Sequence, residues 1–413
     1  MGGKNVNYVR TPMLLILRMD ADQRISAEST SSRTVIGNTT PARDFVDTSL
    51  CAGFVMIAFM TTDSTTVDRP LIALTMGDCA GIGPEVLVQT ASDPEIRAEC
   101  RLVAIGHPVV LSRAAELVGC DIRIESIPSI EAARDLSSEC LPCFSPCADD
   151  VTSVEPGQLD ARAGKAAFDC LAAATYAALA AQIDGIVTAP LNKAALHAAG
   201  HIYPGHTEIL ADICGVSAFG MMLYLPPSPL IKSPCGLGVV HSTLHTSIRS
   251  VPDLLDTSLI ADQIQLMDGF LRRVGCETPR VGVCALNPHA GEDGLFGDEE
   301  RTIIAPAVEQ CREHGIQVTG PIPADALLRR AVGGEFDGIV AMYHDQGHIA
   351  LKLIGFERAV NITLGLPIVR TSPSHGTAFD IAWHAQGPRQ VSAEGMIEAT
   401  RMAVRLVQSG RLK

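Results

Sequence analysis

From Pro70 onward the chain alternates short apolar runs with longer helical stretches. "LIALTM", "RLVAIG", "DGIVTAP", "LGVVHS", "RVGVCAL" and "DGIVAMY" are apolar along their length rather than at every second position. That pattern belongs to strands buried on both faces of a parallel sheet. Between them, "DARAGKAAFDCLAAATYAALAAQI" (160–183) is Ala-rich and suited to close packing on a sheet. "GDEERTIIAPAVEQCREHG" opens with acids, as the helix dipole prefers, and stops at Gly315. The chain closes on the amphipathic "SAEGMIEATRMAVRLV". These alternations predict an α/β protein with mainly parallel sheet.

Residues 1–67 break the pattern. They are rich in Ser, Thr, Asp and Arg, and their apolar patches "MLLIL" and "LCAGFVMIAFM" are too short for a membrane span. Met60 precedes a polar approach to the first strand, so this segment is expected to be a disordered tail or an over-extended start.

The 413 residues, 47% hydrophobic, suffice for a large core divided between two domains. A formal charge of −14 and a 4% aromatic content argue against nucleic-acid binding. The thirteen cysteines sit mostly in apolar segments and read as reduced core thiols of a cytoplasmic protein. Cys140, Cys143 and Cys147 lack a fourth ligand at zinc-finger spacing and are expected in a Pro-rich loop.

Candidate chemistry collects where the strands end. "LGVVHSTLH" carries His241 and His245, "VCALNPHAGEDG" carries His289, and "VAMYHDQGH" carries His344 and His348. In α/β sheets ligands gather at the carboxyl ends of strands. One imidazole from each run could share a divalent ion with a position left open for substrate. A second set is cationic and polar: His206 and Thr207 in "YPGHTEIL", then Lys352, Asn361 and Arg370, suited to a phosphate ester. The glycines of "MGDCAGIGPE" lack the dinucleotide order and read as a tight turn before a helix. "SHGTAFDIA" offers Asp380 as an acceptor for ribose hydroxyls.

Together "TMGDCAGIGPE", "GHTE", "HTSIR", "LNPHAGEDGLFGDEE", "YHDQG", "NITLGLPIVRTS" and "HGTAFDIA" resemble the 4-hydroxythreonine-4-phosphate dehydrogenase (PdxA) family, from about Pro70 to the carboxyl end. The resemblance implies a two-domain fold of the isocitrate/isopropylmalate dehydrogenase type. Residues 68–190 plus 355–413 would form the cofactor side, and 191–354 the metal and dimer side. It implies a homodimer with the active site between subunits, and a divalent metal (Zn²⁺, Co²⁺ or Mg²⁺) on His245, His289 and His344, His348 being left out. Substrate phosphate would meet His206, Thr207, Lys352, Asn361 and Arg370, and NAD would lie near His375, Gly376 and Asp380. The implied reaction is metal-dependent oxidation and decarboxylation of a 4-phosphorylated 3-hydroxy acid. The preferred substrate is 4-phosphooxy-L-threonine, in pyridoxal phosphate synthesis. The alternative is D-threonate or D-erythronate 4-phosphate, giving dihydroxyacetone phosphate. A metal-dependent phosphohydrolase is a reading from another class. The proton acceptor is not identified; Asp345 and Glu208 are candidates by adjacency.

Overall fold

The computed structural model describes residues 69–136, 139–384 and 391–411. The expectation for residues 1–67 lies outside the described residues. The strands are β1 (Leu71–Thr75), β2 (Arg101–Ile105), β3 (Arg123–Ser126), β4 (Cys140–Phe144), β5 (Gly185–Thr188) and β6 (Gly220–Leu225). There follow β7 (Leu237–His241), β8 (Val281–Cys284), β9 (Val318–Ile322), β10 (Gly338–Ala341), β11 (Val360–Leu364) and β12 (Arg370–Pro373). They form one sheet in the order β3-β4-β2-β1-β5-β12-β11-β6-β7-β10-β8-β9.

All six apolar runs read from the sequence are strands. Those at the centre of each half are buried at every residue, as β1, β5, β7, β8 and β10 show. Pairing is parallel from β3 through β12 and again from β7 through β9. Between these blocks β11 pairs antiparallel with β12 and β6, and β6 pairs antiparallel with β7. The three antiparallel steps reverse strand direction, so the two parallel blocks run opposite ways and meet at a seam.

The helix Ala161–Leu179 begins where Asp160 accepts the backbone N–H of Arg162 at 2.8 Å. Its Gly164 lets the backbone of the helix Lys193–Ala198 approach: a Cβ there would collide with the Ala195 carbonyl. The stretch expected as a Pro-rich loop is instead strand β4 with Cys140 and Cys143 buried in it. β4 pairs with β2 only from Cys143 on, past Pro142, which is how a residue without an N–H fits an interior strand. Among the described residues no helix is long and apolar enough to cross a membrane.

Candidate functional site

A cavity of about 290 Å³ lies over the antiparallel seam. Its floor comes from alternate residues of the seam strands: Met221 and Leu223 of β6, Asn361 of β11, Arg370 and Ser372 of β12. All five residues read as phosphate contacts line it: His206, Thr207, Lys352, Asn361 and Arg370. His245, His344, His375 and Gly376 line the same space.

Arg370 dominates the electrostatics. Its guanidinium is 2% exposed and donates to the hydroxyls of Thr188, at 2.6 and 3.2 Å, and Thr363, at 3.0 Å. Among the described residues no carboxylate pairs with it, although Glu208 lies near enough to oppose its pKa shift. Burial pulls the Arg370 pKa from 12.5 to about 9. A buried charge with only hydroxyl partners favours an anionic ligand strongly. Desolvation, then the Arg370 guanidinium, lowers the pKa of neighbouring His206. Two further polar atoms, Asn361 Oδ1 and Glu208 Oε2, are buried without a hydrogen-bond partner. Both residues line the cavity, and both atoms are acceptors, so a ligand hydroxyl rather than a phosphoryl oxygen would complete them.

The histidines divide. His245 and His344 have ring centroids 5.9 Å apart. A tetrahedral ion held by both rings would need centroids about 5.2 Å apart, so the two imidazoles would have to close by somewhat under 1 Å to share one. Asp345, an adjacency candidate for the proton acceptor, is engaged otherwise: its Oδ1 takes His344 Nδ1 at 2.7 Å, leaving Nε2 as the free ligand nitrogen. Behind them His241 Nδ1 donates to the Met221 carbonyl at 3.3 Å. Its Nε2 therefore accepts from His348 Nδ1 at 3.1 Å. Burial lowers His241 to about 4 and His348 to about 2, so both rings are neutral near pH 7.

His289 does not join the other two within one chain. It is absent from the cavity lining, and its ring lies 6.5 Å from Phe296. Among the described residues, the one cluster of three metal-capable groups within 4.8 Å is Cys235, Cys276 and Asp337. That carboxylate is already taken by Arg280 at 2.8 Å and Ser233 at 2.7 Å, an ion pair rather than a metal centre. His289 opens a turn in which residues 289–293 all have positive φ, from 43° to 79°. Four of the five are not glycine, and each such residue costs about 1 kcal/mol or more.

"HGTAFDIA" packs on the Gly-rich turn that the sequence placed between β1 and the helix Gly83–Ser92. Ile82 N–H donates to the Thr377 carbonyl at 3.0 Å. Buried Glu85 accepts Trp383 N–H at 2.7 Å, and the Trp383 indole donates to the Cys79 carbonyl at 3.0 Å. Buried Asp78 keeps Oδ2 unpartnered, and desolvation raises its pKa to about 6. His375 Nε2 is likewise buried and unpartnered, whereas Asp380 is exposed and outside the cavity. Sequence reasoning missed Thr188 and Lys193, which also line the cavity. Neither stands in a distinctive motif; only folding brings the end of β5 beside Arg370.

The family described as pyridoxal phosphate biosynthetic protein PdxA matches residues 98–403. A D-threonate 4-phosphate dehydrogenase from Salmonella typhimurium is 42% identical over 82% of this chain and 100% of its own. A 4-hydroxythreonine-4-phosphate dehydrogenase from Geobacter metallireducens is 38% identical over 82% of this chain and 96% of its own. The crystal structure of a 4-hydroxythreonine-4-phosphate dehydrogenase from Klebsiella pneumoniae superposes with a TM-score of 0.70 at 41% identity, covering 82% of this chain and all of that one. With that family match and these relatives covering most of the chain, the chain belongs to the PdxA family.

Proposed function

We propose that the protein is an NAD-dependent, metal-dependent dehydrogenase that oxidises and decarboxylates a 4-phosphorylated 3-hydroxy acid. The observation that carries this reading is buried Arg370, without a carboxylate partner, in the same cavity as His245 and His344. His206, Thr207, Lys352 and Asn361 complete a pocket for the phosphoryl group and fix the far end of the substrate. His245 and His344 would hold a divalent ion, which when bound would supply Lewis acidity at the substrate hydroxyl oxygen. Asp345 orients His344 for that task. His375 and Gly376, which line the cavity, and Asp380, which lies outside it, would face the adenosine half of NAD.

The third imidazole, His289, is supplied by a second copy of the chain. Two exposed apolar groups support this. Ile349, Leu353 and Phe356 form a stripe along and just beyond the helix His344–Gly355, at 57%, 83% and 49% exposure. Leu295 and Phe296 stand exposed beside the His289 turn. Covering both in a homodimer buries apolar surface and completes the donor set. The lobes 68–190 plus 355–413 and 191–354 meet at the seam, and the enzyme works in the cytoplasm.

The substrates named by the two relatives differ in the group at C2, amino or hydroxyl. 4-Phosphooxy-L-threonine is the first reading; D-threonate 4-phosphate is the second, favoured by the higher identity to that relative. The test follows NADH at 340 nm with each acid, with and without chelator. Metal-dependent NADH formation supports the proposal. Phosphate release without NADH would establish the phosphohydrolase instead.

A further inference from the structure

We infer that Glu300 is a positioning residue that holds the His289 turn in its metal-presenting shape; this rests on the metal reading proposed above. Glu300 is 6% exposed and sits where the chain leaves β8 for the turn. Its Oε1 accepts the backbone N–H of Leu286 at 2.9 Å and of Asn287 at 2.7 Å. Its Oε2 accepts Asn287 Nδ2 at 3.0 Å. Every group that reaches it is a donor, so the position requires acceptors at both oxygens.

A second, steric observation points the same way. Gly291, the middle residue of the left-handed run, packs on the same carboxylate: a Cβ there would lie 2.7 Å from Glu300 Oε2. Glu300 thus grips the entry to the turn and forms the seat under its centre. Five consecutive left-handed residues do not persist on their own preferences, so something outside the turn must hold them. Glu300 also opens a short π-helical segment, Glu300–Ile304, which leads into the helix Ala305–Glu313 and anchors the carboxylate to the fold.

The His289 turn is tied to the His344 turn as well. Gln346 accepts Met342 N–H at 2.7 Å and donates to the Ala285 carbonyl at 2.7 Å, joining the exits of β10 and β8. A lesion at Glu300 therefore acts through the orientation of His289, not through contact with substrate.

Glutamine at 300 is an informative near-isostere. It retains one acceptor but turns an amide N–H toward Asn287 Nδ2. Asn287 cannot relieve this by flipping, because its other amide hydrogen is committed to Glu299 Oε2 at 2.7 Å.

The test titrates Co²⁺ alone into the purified full-length dimer, read by visible absorption. Wild type is compared with His289→Ala, Glu300→Ala, Glu300→Gln and Asn287→Ala. Thermal unfolding with and without inorganic phosphate reports the fold and the Arg370 pocket. Glu300→Ala should weaken Co²⁺ at least tenfold, approaching His289→Ala, with Glu300→Gln and Asn287→Ala in between. The phosphate-induced shift should persist, and kcat should fall with KM for the phosphorylated acid changed less than about twofold. Wild-type Co²⁺ affinity in Glu300→Ala, with affinity lost in His289→Ala, overturns the inference and leaves the metal reading standing. Unchanged affinity in His289→Ala removes the metal reading itself. If Glu300→Ala does not fold, wild-type affinity in both milder variants overturns the inference.

Discussion

His344 and His348 lie ring on ring, their centroids 3.7 Å apart and their planes within 11° of parallel. His348 is buried, and desolvation, helped by His241 and His344, lowers its pKa from 6.5 to about 2. The unfolded chain binds a proton in that window and the folded chain does not. The stability His348 contributes is therefore complete above about pH 6.5 and lost as pH falls toward 2. His241, lowered to about 4, acts in the same direction. In chelator-treated protein, His348→Gln should flatten the fall in unfolding free energy between pH 6.5 and 4.5 by about 1 kcal/mol per pH unit. Denaturant melts at three pH values measure it, and an unchanged slope would refute the buried neutral pair.

Arg370 is a liability to the empty protein and an asset to the loaded one. Replacing it with Met removes a buried charge whose partners are only hydroxyls, so thermal stability without ligand should hold or rise. Loss of the charge-assisted contact should cost roughly 2–5 kcal/mol in substrate binding, read as a large fall in kcat/KM. Millimolar inorganic phosphate should raise the melting temperature of wild type and leave Arg370→Met unmoved. A wild-type phosphate response in the variant would show that the anion binds elsewhere.

Two helical glycines should respond to alanine with opposite signs. Gly269, in the helix Thr257–Arg273, has open space where a Cβ would go, so the propensity gain should stabilise by about 0.5–1 kcal/mol. At Gly164 the same gain is outweighed. The new Cβ meets the Ala195 backbone, which cannot swing away as a side chain could, and overpacking costs about 1–3 kcal/mol. Chemical denaturation of the two variants checks the pair; stabilisation at Gly164 would contradict the close helix contact.

The legibility of this chain follows its burial. β1, β2, β5, β7, β8 and β10 could be read directly because interior parallel strands are apolar on both faces, a pattern that survives without neighbours. β4 was missed because Pro142 and its cysteines suggest a loop, and only the late start of its ladder to β2 makes room for the proline. β11 and β12 carry polar residues that mark a binding site more plainly than a strand, and their antiparallel seam is a relation between distant segments that no local pattern encodes. The pocket was legible residue by residue through motifs, yet Thr188 and Lys193 carry none and enter by proximity alone. The turn at 289–293 was equally hidden: among its five left-handed residues only Gly291 signals that conformation in sequence.

The separation of His289 from the cavity makes the strongest prediction. His245 and His344 come from one chain, and a shared site would draw His289 from its partner. His289→Ala and His344→Ala should each be inactive alone. When the two are unfolded and refolded together, mixed dimers carry one site with both lesions and one with none. Random pairing in a two-fold dimer then restores roughly a quarter of wild-type activity. Steady-state NADH formation after co-refolding, against each variant refolded alone, measures the recovery. His245→Ala mixed with His344→Ala is the internal control: both lesions fall on the same side of the shared site, so no mixed dimer has an intact one. Recovery in that control as well, or in neither mixture, would place all three imidazoles in one subunit's site or none, and the dimeric metal centre would have to be abandoned.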